Sequence, residues 1–196
     1  VWPAVSLLRD AEGALSAEQA LKARASFDVP TGTPGNLGRI DGVVWLHVYL
    51  QVPGALGVDR VLELDYPPLN RIDVLVLHEG QPTHQLRLGN ELRLSERPLR
   101  ARTHAATLHL APGEHELLLR VQTQSSMVLP ITLRTPDAFT EAESRVQLVQ
   151  GVIAGLAICM LLYSLLHWVA LRDPVFVDYA MLLVGNALFV WAYFGV

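Results

Sequence analysis

Leu148 to Leu171 reads LVQGVIAGLAICMLLYSLLHWVAL, 24 residues without a charge. No other stretch restricts the chain so much. As a helix it would run about 36 Å at 1.5 Å per residue, and about 20 apolar residues already span a bilayer core. Its only polar side chains are Gln150, Cys159, Ser164 and His167. A soluble core helix rarely stays apolar on every face for so long. Tyr163 and Trp168 near its end suit an interfacial aromatic belt.

Arg172-Asp173-Pro174 follows, and proline cannot continue the helical hydrogen bonding. A second apolar run, Val175 to Val196, carries Asp178 near its start, Asn186 near its middle and Trp191, Tyr193 and Phe194 at its far end. The connection is short, so the two runs should form an antiparallel transmembrane hairpin. Asp178, close to the loop, is expected at the membrane interface. Cys159 reads as a packing residue. Arg172 in the loop places that loop in the cytoplasm under the positive-inside rule, with residues 1–147 on the other side. The bare apolar end reads as a piece of a longer membrane protein. A start without methionine or leader reads as a removed signal peptide or as a sequence that begins after one.

The front part is ordinary by contrast. Residues 1–147 hold 14 Lys/Arg and 17 Asp/Glu, whereas residues 148–196 hold only Arg172, Asp173 and Asp178. The net charge of −4 and the lack of a basic block exclude a nucleic-acid partner. One cysteine excludes a disulfide scaffold.

Residues 43–52, VVWLHVYLQV, alternate: Val44, Leu46, Val48, Leu50 and Val52 on one face, and Trp45, His47, Tyr49 and Gln51 on the other. Such alternation of β-branched and aromatic residues is a strand signal. Further strands are predicted at 61–66, 71–78, 85–88, 103–110, 115–122 and 129–134, separated by Pro/Gly turns. Seven short strands make an antiparallel jelly roll or β-sandwich, so the fold class is mainly β with a helical transmembrane hairpin behind it. Ser16-Ala17-Glu18-Gln19 is a capping box for a short helix, and Thr140-Glu141-Ala142-Glu143 starts a helix that runs into the first span. The division is a sensor domain over 1–138, a helical connector over 139–147, and spans over 148–171 and 175–196.

No nucleophile elbow, zinc-protease, CxxC, Walker or dinucleotide motif is present, and no cofactor or metal is expected. His104, His109 and His115 match no zinc spacing and read as surface or strand-edge histidines. Trp45, His47 and Tyr49 put two rings and a hydrogen-bonding group on one face, the combination used by small-ligand and sugar sites. The plainer reading packs Trp45 and Tyr49 under a loop or into a second sheet. Glu63 and Asp65, on one face of the next strand, read as a solvated face; a hydrolase would need them as an acid pair, and a cation site is a further reading.

The ordered landmarks resemble a known family. Leu8-Arg9-Asp10 with Gly13-Ala14-Leu15-Ser16, then Asn36-Leu37-Gly38 and Trp45-Leu46, open the pattern. Leu62-Glu63-Leu64-Asp65-Tyr66-Pro67 with Leu69-Asn70-Arg71-Ile72-Asp73 continues it. Glu96-Arg97-Pro98 with Arg102, Leu129-Pro130-Ile131-Thr132-Leu133, Pro136-Asp137-Ala138-Phe139 and Leu171-Arg172-Asp173 with Tyr179 complete it. Together they are similar to the second type of extracellular domain in bacterial seven-transmembrane receptors with diverse intracellular signalling modules. The resemblance implies a periplasmic jelly roll like a carbohydrate-binding module, an inner-membrane location, a seven-helix region and a cytoplasmic kinase, diguanylate cyclase or phosphatase output. It implies a non-enzymatic input module with a small ligand of carbohydrate type. The ligand residues expected are Trp45, His47 and Tyr49, with Asp65, Arg97 and Arg102 nearby. Two positions depart from the pattern: His47 stands where the family usually has arginine, and Asn70 where an aspartate is common. The competing expectation is a periplasmic protein–protein or dimerisation module.

Overall fold

A computed structural model describes residues 2–31 and 33–194, with side chains up to Phe189 in the last helix. Gly32 of the 32–38 loop and the side chains of Trp191, Tyr193 and Phe194 lie outside the described residues. The chain divides into two compact units, Val1–Pro136 and Asp137–Val196.

The first unit holds eight strands in two antiparallel sheets: β1 (Val5–Asp10), β2 (Val43–Val52), β3 (Val58–Leu64), β4 (Arg71–His78), β5 (Gln81–Leu88), β6 (His104–Leu110), β7 (Gly113–Gln122) and β8 (Ile131–Arg134). The larger sheet has the order β1-β2-β7-β4-β5, and the smaller β6-β3-β8. The alternation of β2 and β4 is decisive because each carries one apolar face. Val44, Leu46, Val48, Ile72, Val74 and Val76 turn inward with Leu117, Leu119 and Val121 of β7. They meet Leu62, Leu64, Leu108 and Ile131 of the smaller sheet in one core.

Two departures from the expected strands have plain causes. β1 shows no clean alternation because both its faces are covered: Val5 and Leu7 join the main core, while Leu8 packs in a second cluster on the outer face. β5 begins at Gln81, four residues earlier than expected, and includes Pro82. Proline is tolerated there because β5 is an edge strand, and the register against β4 shifts beside it, between Val76 and Leu77.

The short helix α1 (Ala17–Lys22) starts as expected. The Ser16 hydroxyl accepts from Gln19 N–H, and the Gln19 amide oxygen accepts from Ser16 N–H at 2.8 Å. Six residues cannot sustain a helix alone; α1 is held by packing Ala20, with Ala17 and Leu21, against the larger sheet.

The second unit contains α2 (Pro136–Leu171) and α3 (Val175–Phe194). The expected start at Thr140 moves back to Pro136, a favoured first helical residue, so connector and span share one helix. α2 is long and apolar enough to cross a membrane, and α3 is apolar over Val175–Phe189. Leu156 and Leu166 of α2 are each more than 60% exposed, a surface suited to lipid rather than water. Arg172 closes α2 in the left-handed region at φ 56°. Asp173 Oδ1 accepts from Val175 N–H at 3.0 Å and caps α3. The His167 and Phe176 rings face each other across this turn, 5.3 Å apart.

Candidate functional site

Trp45, His47 and Tyr49 share the outer face of the larger sheet, as the alternation requires. Residues 13–28, between β1 and β2, run over this face. Trp45 is 3% exposed and packs with Ala20, Val43 and Leu118 beneath α1. Its indole Nε1 donates to Asp10 Oδ2 at 3.4 Å. The same carboxylate accepts from Ala14 N–H at 3.2 Å and Leu15 N–H at 2.9 Å. Burial opposes ionisation of Asp10. The Leu15, Trp45, Ala14 and Gly13 hydrogen bonds outweigh it and hold the carboxyl below the ordinary carboxylate value.

His47 is buried, and its Nε2 lies 2.8 Å from Glu116 Oε2. Phe27 and Tyr49 flank its ring edge-on, with centroids at 5.7 and 4.4 Å. Glu116 is in turn gripped by Arg24, whose Nη2 is 2.7 Å from Oε2. A chain of polar contacts therefore runs from the surface at Arg24 through Glu116 to His47. Tyr49, at 61% exposure, is the one ring of the column that meets solvent broadly. Glu18, Leu21, Lys22, Arg24 and Ala25 line an open depression along α1.

Asp65, Arg97 and Arg102 lie elsewhere, at one end of the smaller sheet. Asp65 follows β3, and its Oδ1 accepts from Arg102 Nη2 at 2.8 Å. Arg97 donates from Nη1 to the Ala101 carbonyl at 3.5 Å. The six residues thus form two groups on different sheets. Sequence reasoning missed Arg24, Glu116 and Asp10, which join the aromatic column only through loop closure and pairing across strands. The Leu8-Arg9-Asp10 landmark was the one signal that could have pointed to Asp10.

Glu63 is buried rather than solvated. Thr103 and Thr132 hydroxyls donate to its two oxygens at 3.2 and 3.1 Å, and Arg134 Nη1 lies 3.7 Å away. The hydroxyls and the guanidinium meet the cost of burying the carboxylate. Two histidines expected at the surface are buried as well. His104 and His115 occupy inward positions of β6 and β7, and their Nε2–H groups donate to the carbonyls of Pro67 and Ala111. Turn carbonyls at the strand ends supply the acceptors for Nε2–H, while Nδ1 of each ring is buried without a hydrogen-bond partner among the described residues. His115 also stacks on His78 at 4.5 Å. His109 alone stays exposed, paired with Asp59. No group of three or more candidate metal ligands occurs among the described residues.

Burial pushes the His104 imidazole below its ordinary value of 6.5, helped by the nearby Arg97 charge and opposed by the Pro67 hydrogen bond. The folded state therefore prefers the neutral ring. Its stabilisation is complete above about pH 6.5 and is lost as the pH falls below that value toward the lower folded pKa. The urea midpoint of the wild type should drop between pH 7 and pH 5. In His104→Gln the drop should be smaller; an equal drop would assign the acid sensitivity to other groups.

Residues 3–135 match the family model described as 7TMR-DISM extracellular 2. The match covers about two thirds of the chain and coincides with the β unit. No curated protein matches the chain.

Proposed function

The chain belongs to the 7TMR-DISM extracellular 2 family, which makes residues 3–135 an extracellular sensor module of a membrane receptor, and from that premise we propose that a small ligand binds on the outer face of its larger sheet. One observation carries this reading: Arg24 belongs both to the wall of the depression on α1 and to the chain of polar contacts that ends on buried His47. A ligand seated there would touch Tyr49 and Arg24 and be read internally by Glu116 and His47. Trp45 serves as the floor that fixes α1, and Asp65, Arg97 and Arg102 hold the far corner. A saccharide suits a site that combines one exposed ring with a few charged groups.

The signal then passes to the helices. β8 ends at Arg134 and α2 begins at Pro136, so a single residue separates the last strand from the helix. Binding biases one of two receptor arrangements by no more than the ligand's differential affinity for them. In the receptor reading the output is a cytoplasmic kinase or cyclase reached through further membrane helices.

The test is a thermal-unfolding screen of the whole chain in detergent against sugars, amino acids and divalent ions. A saturable rise in midpoint is expected, and Tyr49→Ala or Arg24→Ala should weaken it at least about tenfold, or about 1.4 kcal/mol of binding energy. Tyr49 and Arg24 are the right probes because both are exposed; truncating Trp45 would unseat α1 instead. The openness of the depression favours a second reading, in which this face docks another protein or a second copy. No hit across the panel, with a dimer in solution, would decide for that reading.

A further inference from the structure

A second feature of the same face has no counterpart in the ligand site above. Strand pairing sets a row across the sheet: Leu8, Trp45, Arg120, Asp73 and Arg87, on β1, β2, β7, β4 and β5. Arg71, two residues before Asp73 on β4, points the same way. Three guanidinium groups from three strands converge on one carboxylate. Arg71 Nε donates to Asp73 Oδ2 at 2.9 Å, and Arg87 Nε donates to Oδ1 at 3.2 Å. Arg120 Nη1 stands 3.6 Å from Oδ2.

One carboxylate neutralises one arginine, so the cluster keeps two positive charges in excess. Stability gives no reason for the excess. Exposed ion pairs contribute less than about 1 kcal/mol each, and like charges this close repel. Arg120 donates from its terminal nitrogens to Gln122 Oε1 and the Gly13 carbonyl. Arg71 and Arg87 do not: their terminal nitrogens make no hydrogen bond among the described residues. Their side chains are 36% and 53% exposed, above a better-buried Arg120 at 19%. Asp73 pins both by Nε, which orients each fork before anything binds and lowers the entropy cost of engaging it. A planar guanidinium with paired N–H groups suits a carboxylate in bidentate contact.

We propose that Arg71, Arg87 and Arg120 form a binding site for a small organic dianion, a dicarboxylate, on the outer face of strands β4, β5 and β7. The charge excess of two sets the charge of the ligand. Arg71 and Arg87 engage the carboxylates with their terminal N–H groups, and Arg120 supplies the positive floor. Through the Gly13 carbonyl, Arg120 also touches the loop that leads into α1, so occupancy reaches the element that covers Trp45. The site stands apart from the Arg24 depression and does not rest on it.

The test is calorimetric titration of the whole chain in detergent with succinate, at ionic strength held constant with sodium chloride, and with sulfate in a parallel arm. Saturable succinate binding is expected, weaker by at least about threefold in Arg87→Gln and about tenfold in the double variant Arg71→Gln/Arg87→Gln. Asp73→Asn raises the excess from two charges to three while its amide oxygen still accepts one Nε–H, so it should tighten binding at least about threefold. A gain in affinity cannot come from misfolding, which keeps the test sound if the double variant is unstable. Absence of saturable heat, sulfate binding as tightly as succinate, or unchanged affinity in Asp73→Asn would each overturn the proposal.

Discussion

Gly89→Ala should cost the β unit about 4 kcal/mol, enough to remove most of the stability of a marginal domain. Gly89 follows β5 with φ +126°, where residues with a Cβ are strained by roughly 1–3 kcal/mol. The added methyl would also land on the Asn70 carbonyl oxygen, with the Asn70 carbon at 2.8 Å and Arg71 Cα at 3.0 Å. These are backbone atoms and cannot rotate aside; forcing them apart adds about 1–3 kcal/mol. The damage spreads because Asn70 is a junction. Its Oδ1 accepts from Gln124 N–H at 2.8 Å and from the Thr123 hydroxyl at 3.0 Å, while its Nδ2 donates to Asn90 Oδ1. Asn70 thus uses both donor and acceptor, and an aspartate there would have no N–H to give. Urea unfolding followed by circular dichroism measures the effect; a loss below about 1 kcal/mol would show that the close approach of Gly89 to the Asn70 backbone can relax.

Asp10→Ala should lower stability by about 3 kcal/mol, close to 10 °C in Tm for a unit of this size. Three donors, the N–H groups of Ala14 and Leu15 and the Trp45 indole, lose their acceptor together, at roughly 1 kcal/mol each. The loss falls on one place: the turn into α1 loosens, and the cover over Trp45 with it. Tryptophan fluorescence should therefore shift to the red before the sheets unfold. Asp10→Asn should fall between, since an amide keeps a single acceptor oxygen. The acid limb follows from the lowered carboxyl. Its stabilisation is complete above the ordinary value of 3.8 and lost as pH falls through the lower folded value, a window separate from that of His104. A single unfolding transition with an unshifted emission maximum would contradict the clamp.

How much of this could be read from the residues varies by element. β2 and β4 were legible to the residue because each has one apolar and one mixed face, and a period of two is hard to mistake. β1 was not, because a covered outer face removes the polar half of the pattern. The capping box of α1 was legible from four residues, since the contacts that satisfy it are local. The site was only partly legible. Alternation places Trp45, His47 and Tyr49 side by side, yet it cannot say that residues 13–28 cover the first two and leave the third open. It also cannot reveal that Glu116 and Arg24 join His47, because they lie 69 and 23 residues away along the chain. Buried Glu63, His104 and His115 were misread for the same reason: polarity suggests water until a distant hydroxyl, guanidinium or turn carbonyl is seen to bond the group.

The sequence by itself determined the two solvents. The last charge before the apolar run is Arg145, and the 24 uncharged residues from Leu148 to Leu171 have few homes other than lipid; alternation and Pro/Gly turns likewise leave little but antiparallel sheets for the front part. Those conclusions rest on periodicity and transfer energy, which are local or additive. Tertiary structure alone decided which face carries the candidate chemistry: the cover of α1 over Trp45, the Arg24–Glu116–His47 chain and the three arginines on Asp73. Each depends on which strands become neighbours, and pairing β7 between β2 and β4 is a long-range choice that no single segment encodes.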